Sequence, residues 1–151
     1  MEFVHLSPKR IQAIRNPKQL GKSFKPQGSL WFACGDTWEE WMAAEGFQPK
    51  EPYKYKYFAT LDTDPLIVLK TVADIQRFSE QYSIPDKKYP YFFIDWNKVR
   101  SETGKYGIYI VNGTLKTARK KFAWYSSFDA CSVAIWNKDA IVSMRETRLT
   151  S

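Results

Sequence analysis

The only histidine of the chain, His5, lies in the short apolar segment Phe3–Ser7. Because side chains alternate along a strand, Phe3, His5 and Ser7 would share one face. An imidazole and a hydroxyl at a strand end, with the backbone of Leu6 between them, could hold ribose hydroxyls and an amide. The alternative interpretation is a structural histidine that is hydrogen-bonded within a sheet. Any imidazole chemistry of this protein depends on this segment.

Two adjacent aromatic residues provide a second candidate contact. Trp31 and Phe32 lie at the end of the segment Lys25-Pro26-Gln27-Gly28-Ser29-Leu30-Trp31-Phe32-Ala33, where they would point to opposite faces of a strand. Either ring could stack on a flat heteroaromatic group, and Lys25 could contact a phosphate. The alternative is that both rings belong to the core and that Lys25 is simply solvated.

The third candidate segment lies near the C-terminus. Asp129 precedes the apolar run 133–136, and Ser132 follows it by three residues. A carboxylate at the mouth of a strand could stabilise a developing cation or orient a nucleophile; the competing interpretation is a turn aspartate. If the three segments converge, they supply hydrogen-bonding groups, an aromatic wall and a carboxylate, which together could hold a dinucleotide.

Composition restricts the chemistry further. With one histidine, and with no glycine-rich phosphate loop, HExxH, CxxC or nucleophile-elbow motif, zinc-dependent and two-histidine mechanisms are set aside. The two cysteines, Cys34 and Cys131, are too few for a disulfide framework, so we expect them to be reduced and buried in a reducing, cytoplasmic compartment. No apolar run approaches the ~20 residues of a membrane span, and the N-terminus lacks a signal-peptide pattern.

The charge of the chain favours anionic partners. Its net charge is +7, and aromatic residues make up 17% of its 151 residues. Such a balance suits binding to nucleic acid, a nucleotide or an acidic protein surface. A lysine-rich soluble surface explains the same charge equally well.

Periodicity and turn signals predict the elements that would position these groups. Alternation or short apolar runs predict strands at 2–6, 29–33, 53–57, 66–69, 106–111 and 133–136, and residues 91–94 form a further apolar run. A brief helical turn is expected after Ser7-Pro8, as far as Ile14. Residues 114–121 could be helical or a loop, and residues 139–144 could pair beside the last strand or form a tail.

N-cap signals predict three helices. A capping box of Thr37 with Glu40 would open the first, Thr71 with Asp74 would open the second, and Asp95 would cap a third over 96–102.

The first helix has an apolar stripe. Its Trp38, Trp41 and Met42 would pack in the core, while Glu39 and the other glutamates would be solvated.

Short strands interspersed with helices, without strict alternation, predict one α+β domain over residues 1–151, expected to be a monomer.

Taken together, these segments resemble the ADP-ribosyltransferase fold, particularly its small phage and prokaryotic members, which include viral anti-defence proteins. The resemblance rests on His5-Leu6-Ser7, on Trp31 or Phe32 within Lys-Pro-x-Gly-x-Leu-Trp, on the strand 106–110 and on Asp129. It covers most of the chain in order. It implies a split antiparallel or mixed sheet with short peripheral helices.

The resemblance also implies an activity. In the His-Tyr-Glu class of that fold, the histidine contacts the nicotinamide ribose, the aromatic residue stacks on nicotinamide, and the acid favours an oxocarbenium-like transition state. It therefore implies NAD as co-substrate and His5 and Asp129 as catalytic residues, with Trp31 or Phe32 at the nicotinamide. The chain departs from the class in having Trp or Phe for Tyr and Asp for Glu. The expected NAD contacts are His5, Leu6, Ser7, Lys25, Trp31, Phe32 and Ser132.

The implied function is transfer of one ADP-ribose to a protein or nucleic-acid acceptor, as in a viral or toxin-like effector. One rival is a non-catalytic nucleic-acid-binding module that stacks bases on Tyr53, Tyr55 and Tyr57 beside Lys54 and Lys56. That rival requires the tyrosines to be exposed, whereas their alternation favours burial. A second rival is an inactive transferase-like protein that binds a host surface.

Overall fold

The strands of the chain form two sheets, as described by a computed structural model for residues 2–88 and 90–149. The predicted domain 1–151 therefore includes four residues outside the described ones: Met1, Tyr89, Thr150 and Ser151. The architecture is mixed α+β, with a large mixed sheet and a few short helices, which confirms the predicted class. No helix within the described residues is long and apolar enough to cross a membrane.

The described residues form ten strands and five helices, all of them short. The strands are β1 (Phe3–Ser7), β2 (Lys22–Ser23), β3 (Leu30–Cys34), β4 (Tyr55–Leu61), β5 (Leu66–Leu69), β6 (Ser83–Pro85), β7 (Phe92–Asp95), β8 (Gly107–Ile110), β9 (Ser132–Ile135) and β10 (Ile141–Arg148). The helices are α1 (Thr37–Glu45), α2 (Val72–Tyr82), α3 (Trp96–Thr103), α4 (Lys116–Lys121) and α5 (Ala123–Ser126). A 3-10 turn at Lys138–Ala140 precedes β10.

The larger sheet has the strand order β10-β4-β1-β3-β9-β8-β5. Its neighbours are antiparallel except for β5 and β8, which are parallel. The smaller sheet, β2-β7-β6, is antiparallel. Two alternatives were predicted for residues 139–144: a tail, or a strand beside the last core strand. Both are wrong, because β10 pairs with β4 at the far edge of the sheet.

Two apolar clusters cover the larger sheet. Because side chains alternate across a strand, β9 contributes Val133 and Ile135 to one cluster and Ala134 to the other. The larger cluster includes three fully buried indoles: Trp96, Trp124 and Trp136. It joins the sheet that carries the candidate residues to the helices α2, α3, α4 and α5.

Two helices begin at the capping residues that the sequence predicts. Thr71 accepts a hydrogen bond from the Asp74 amide, and the Asp74 carboxylate accepts one from the Thr71 amide, which is a complete capping box at the start of α2. Asp95 accepts a hydrogen bond from the Lys98 amide and caps α3.

The predictions for the first helix are wrong in two respects. The N-cap of α1 is Asp36 and makes no side-chain capping bond, so the predicted Thr37–Glu40 capping box does not form. No residue of α1 is buried, because Trp38 and Trp41 stack on each other, with ring centroids 4.7 Å apart, instead of entering the core.

The predicted helical turn after Ser7-Pro8 is also absent from the structure. Ser7 instead forms a local turn, in which its hydroxyl donates to the Lys9 carbonyl at 2.6 Å and accepts from the Lys9 amide at 3.2 Å. A short side-chain hydrogen bond of this kind competes with helix formation.

The two cysteines are not reduced, contrary to the prediction. Cys34 and Cys131 form a disulfide, with Cα atoms 5.5 Å apart, across the antiparallel pair β3–β9. They are 97 residues apart in sequence, and only the register of the two strands brings them together. The inference of a reducing compartment rested on unpaired cysteines and loses that basis.

Candidate functional site

The larger sheet opens between β1 and β3. All five residues of β1 pair with β4, but only Phe3 and Val4 pair with β3. On the other side, β3 stays paired with β9 from Leu30 to Ala33. Beyond Val4 the two strands therefore separate, and a cleft of about 290 Å³ forms at the opening.

The three candidate segments meet at this cleft. It is lined by Val4, His5, Leu6, Lys25, Trp31, Phe32, Ala33, Gly35, Trp38, Glu39, Tyr53, Phe128, Asp129 and Ser132. Among the residues predicted to form the site, only Ser7 is not in the lining, because its hydroxyl is engaged in the turn with Lys9.

His5 bridges the opening between the strands. Its Nδ1 lies 2.6 Å from the carbonyl oxygen of Trp31, a backbone group that faces the gap where β1 has left β3. A carbonyl can only accept, so Nδ1 carries the proton and Nε2 of the neutral ring is an acceptor. The histidine thus satisfies a sheet carbonyl and still offers one hydrogen-bond acceptor.

Burial sets the charge of this imidazole. It lowers the pKa of His5 below its ordinary value of 6.5, although the hydrogen bond to Trp31 acts in the opposite direction. The ring is therefore neutral at pH 7. A neutral imidazole with a free Nε2 is suited to accept a hydrogen bond from a hydroxyl group.

Two aromatic rings and a lysine form one wall of the cleft. The Trp31 and Phe128 rings lie 5.5 Å apart, and the Lys25 ammonium is 5.6 Å from the first centroid and 5.8 Å from the second. Phe32 is only 2% exposed and packs in the core with Phe3. Of the two aromatic candidates, Trp31 has the larger ring surface available to a ligand.

The acidic side of the cleft comes from the segment before β9. Asp129 is partly exposed in the lining and, within the described residues, its carboxylate has no hydrogen-bond or ion-pair partner. The Ser132 hydroxyl donates to the Ala130 carbonyl at 2.8 Å. Between them, the bond from Cys131 to Cys34 ties this segment to β3. Asp129 is therefore held at the cleft by its backbone and is free to act on a ligand.

Sequence reasoning missed a second carboxylate in the lining. Glu39 was expected in solvent, but its Oε1 lies 2.7 Å from the Lys56 ammonium, which also approaches Asp36 at 3.4 Å. The Glu39 carboxylate raises the pKa of Lys56, whose side chain is only 13% exposed. Nothing in the helical pattern indicates that this face of α1 lies over the cleft, so no local signal could have identified Glu39.

The tyrosines proposed as a stacking platform do not form a continuous one, because Tyr57 is buried and Tyr53 and Tyr55 are only partly exposed. Tyr57 is 3% exposed, and its hydroxyl donates to Glu146 at 2.8 Å and accepts from the Ile11 amide at 2.8 Å. Lys56, on the opposite face, is paired with Glu39. The rival interpretation through residues 53–57 therefore has no continuous exposed surface.

Within residues 2–88 and 90–149, no group of three or more His, Cys, Asp or Glu side chains is placed to hold a metal ion. Comparisons of the chain with protein-family models, with curated proteins and with solved structures find no match. The interpretation of the cleft therefore rests on its geometry and chemistry.

Proposed function

We propose that the chain is an ADP-ribosyltransferase-like domain that transfers one ADP-ribose from NAD to a macromolecular acceptor. The observation that carries the proposal is the convergence of His5, Trp31 and Asp129 on one cleft where the sheet opens. These residues come from three distant parts of the chain, and they offer a hydroxyl-binding acceptor, an aromatic face and an unpaired carboxylate.

Each part of the donor has a matching group. The free Nε2 of His5 accepts a hydrogen bond from a ribose hydroxyl. Trp31 provides the surface for nicotinamide, and Lys25, which is exposed at the mouth of the cleft, pairs with the pyrophosphate. A volume of about 290 Å³ is near the lower end of ligand sites, ~300–1,000 Å³. The nicotinamide and its ribose therefore occupy the cleft, and the adenosine half lies along its open side.

The reaction is a substitution at the ribose carbon attached to nicotinamide. The glycosidic C–N bond breaks, and nicotinamide leaves with the electron pair. Positive charge then develops on the ribose, and the Asp129 carboxylate stabilises it. A lone pair of the acceptor forms the new bond to carbon, and the acceptor's proton is released to solvent.

The role of Lys25 can be tested by measuring NAD binding. Lys25→Gln should raise the Kd for NAD roughly tenfold, because a hydrogen bond to a charged group contributes ~1.5–3 kcal/mol. Lys18 is an exposed lysine on the other side of β2 that does not line the cleft, so Lys18→Gln is the matched control. Calorimetric titration of the two variants and the wild type gives the comparison. Equal affinities for both variants would remove Lys25 from the site.

The acceptor can be found with NAD labelled in the adenosine moiety. The protein is incubated with the label and a cell lysate, and the labelled product is then digested with protease or nuclease. Label on a protein or nucleic acid is the expected result, and label that remains only in free ADP-ribose would leave hydrolysis rather than transfer as the activity.

A further inference from the structure

A second concave surface of about 550 Å³ lies between the β6–β7 hairpin, α2 and the α4–α5 segment. We call it the basic groove, and the residues that matter here are Tyr91, Phe92, Lys120, Lys121 and Phe122. It shares no lining residue with the cleft of the proposed active site. The transferase proposal therefore gives no role to the residues that line this groove.

The groove exposes aromatic rings. Phe92 is 57% exposed and Tyr91 is 47% exposed, so two of the four large apolar side chains most exposed among the described residues are at this one place. Phe122 is partly buried beside them. Tyr91 has an edge contact with Phe24, with ring centroids 6.3 Å apart. A ring as exposed as that of Phe92 contributes little to folding, and its flat face is available to stack on a ligand.

The charge around these rings is positive. Lys120 and Lys121 are exposed at the groove, and the Lys121 ammonium lies 5.6 Å from the Phe122 centroid and 3.3 Å from Gln76 Oε1. Lys87 is exposed in the loop between β6 and β7. These lysines can meet an anionic ligand.

Two other charged residues in the lining are already engaged. Arg119 donates to the carbonyls of Gly113 and Phe128, at 2.9 and 3.2 Å, and so serves the fold. Glu80 is the acidic residue of the lining, and its Oε1 accepts a hydrogen bond from Gln76 at 3.0 Å. With one acid against three bases, the lining stays electropositive.

We propose that the basic groove binds single-stranded nucleic acid. A base stacks on Phe92, and the phosphates pair with Lys120, Lys121 and Lys87. A duplex does not fit this arrangement, because its base faces are already stacked. The groove binds its strand whether or not the cleft transfers ADP-ribose, so this inference does not depend on the proposed function.

The test uses a fluorescent oligothymidylate and the full chain without NAD. Phe92→Ala should weaken binding about tenfold, as expected for the loss of one stacked base. Phe47→Ala replaces a comparably exposed phenylalanine (43%) outside the groove and should leave binding unchanged. Phe92 is exposed, and Phe47 packs on Trp38 and Trp41 of α1, a helix with no buried residue, so both variants should fold.

Salt dependence tests the phosphate contacts separately. Replacing Lys120 and Lys121 together with Gln should lower the slope of log Kd against log salt by about 1.4, since each phosphate contact on a single strand contributes ~0.7. Lys138→Gln, at an exposed lysine outside the groove, is the control and should change nothing.

Three results would overturn the proposal. One is the absence of oligothymidylate binding at 50 mM salt, and another is equal binding by the groove variants and their controls. The third is binding to vesicles containing phosphatidylserine that Phe92→Ala abolishes while oligonucleotide binding is unaffected, which would assign the groove to a membrane surface.

Discussion

At the residue scale, the hydrogen bonding of the cleft depends on which nitrogen of His5 carries the proton. The Trp31 carbonyl accepts from Nδ1 of His5, so the neutral ring has a single tautomer with Nε2 as its acceptor. At the opening the Trp31 carbonyl has no backbone donor on β1, and the His5 side chain donates the hydrogen bond instead. The same hydrogen bond that completes the sheet prepares the imidazole for a ligand hydroxyl.

The buried histidine should make stability depend on pH. The pKa of His5 is lowered in the folded state, so above pH 6.5 the ring is neutral whether folded or unfolded and contributes no pH dependence. Below pH 6.5 the unfolded chain takes up the proton first. The free energy of unfolding therefore falls, by at most about 1.4 kcal/mol per pH unit, until the folded pKa is passed.

His5→Asn tests this linkage, because the Asn amide can donate to the Trp31 carbonyl but does not titrate. Urea unfolding of the wild type and the variant at several pH values between 5 and 8 measures the effect. As the pH falls below 6.5, the free energy of unfolding should decrease more for the wild type than for the variant. Parallel pH profiles for the two proteins would show that His5 does not titrate as its burial implies.

Candidate residues were easier to predict than their neighbours. His5 and Asp129 are identifiable because each interrupts or precedes an apolar strand, a pattern that is local in sequence. Glu39 was missed because its role depends on Lys56, a residue of another strand. The choice between Trp31 and Phe32 also required the structure, since alternation separates two faces without indicating which one borders the opening.

At the scale of elements, the disulfide connects β3 to the segment just before β9, two neighbouring parts of the sheet that both line the cleft. Cys34 ends β3, which carries Trp31, and Cys131 lies between Asp129 and Ser132 at the start of β9. The bond closes a long loop of chain, so it restricts the unfolded state strongly. It also fixes the segment of Asp129 to the sheet.

Replacing both cysteines by alanine should therefore lower the free energy of unfolding by about 2–4 kcal/mol, as measured by urea unfolding. Dithiothreitol should destabilise the wild type by a similar amount and have no effect on the double variant, which serves as the control for the reductant. If the wild type and the double variant unfold at the same urea concentration without reductant, the bond does not contribute as described.

Helices with complete local signals were predictable, and elements that depend on distant partners were not. The capping residues Thr71, Asp74 and Asp95 lie within the segments they cap, so α2 and α3 begin as predicted. The stripe on α1 has helical spacing, but its indoles pack on each other and on Phe47 because no core face lies beneath them. The location of β10 beside β4 has no signal in either segment.

At the scale of the whole molecule, the fold creates its cleft by unequal strand pairing. Along its length β1 stays paired with β4, and β3 stays paired with β9. The sheet is therefore continuous at Phe3 and Val4 and open beyond them. The α+β class could be predicted from the order of short elements. The opening could not, because it depends on where the pairing of β1 with β3 stops, and alternation fixes the face of each side chain but not the extent of the pairing.

Under the two proposals, one molecule binds two anionic ligands, with NAD in the cleft and a single strand in the basic groove. A net charge of +7 is favourable to both. The two sites share no residue, so substitutions in one should leave binding at the other unchanged.

The most direct test of the central claim is the rate of nicotinamide release from NAD by the wild type and by Asp129→Asn. Asn keeps the size of the side chain and removes its charge, and no described partner is lost. The control is Asp139→Asn, at an exposed aspartate outside the cleft. We predict release by the wild type and the control and a loss of about 10²–10³-fold in Asp129→Asn, whose unfolding curve should be unchanged. Release at the wild-type rate by Asp129→Asn, or no release by the wild type, would contradict the account.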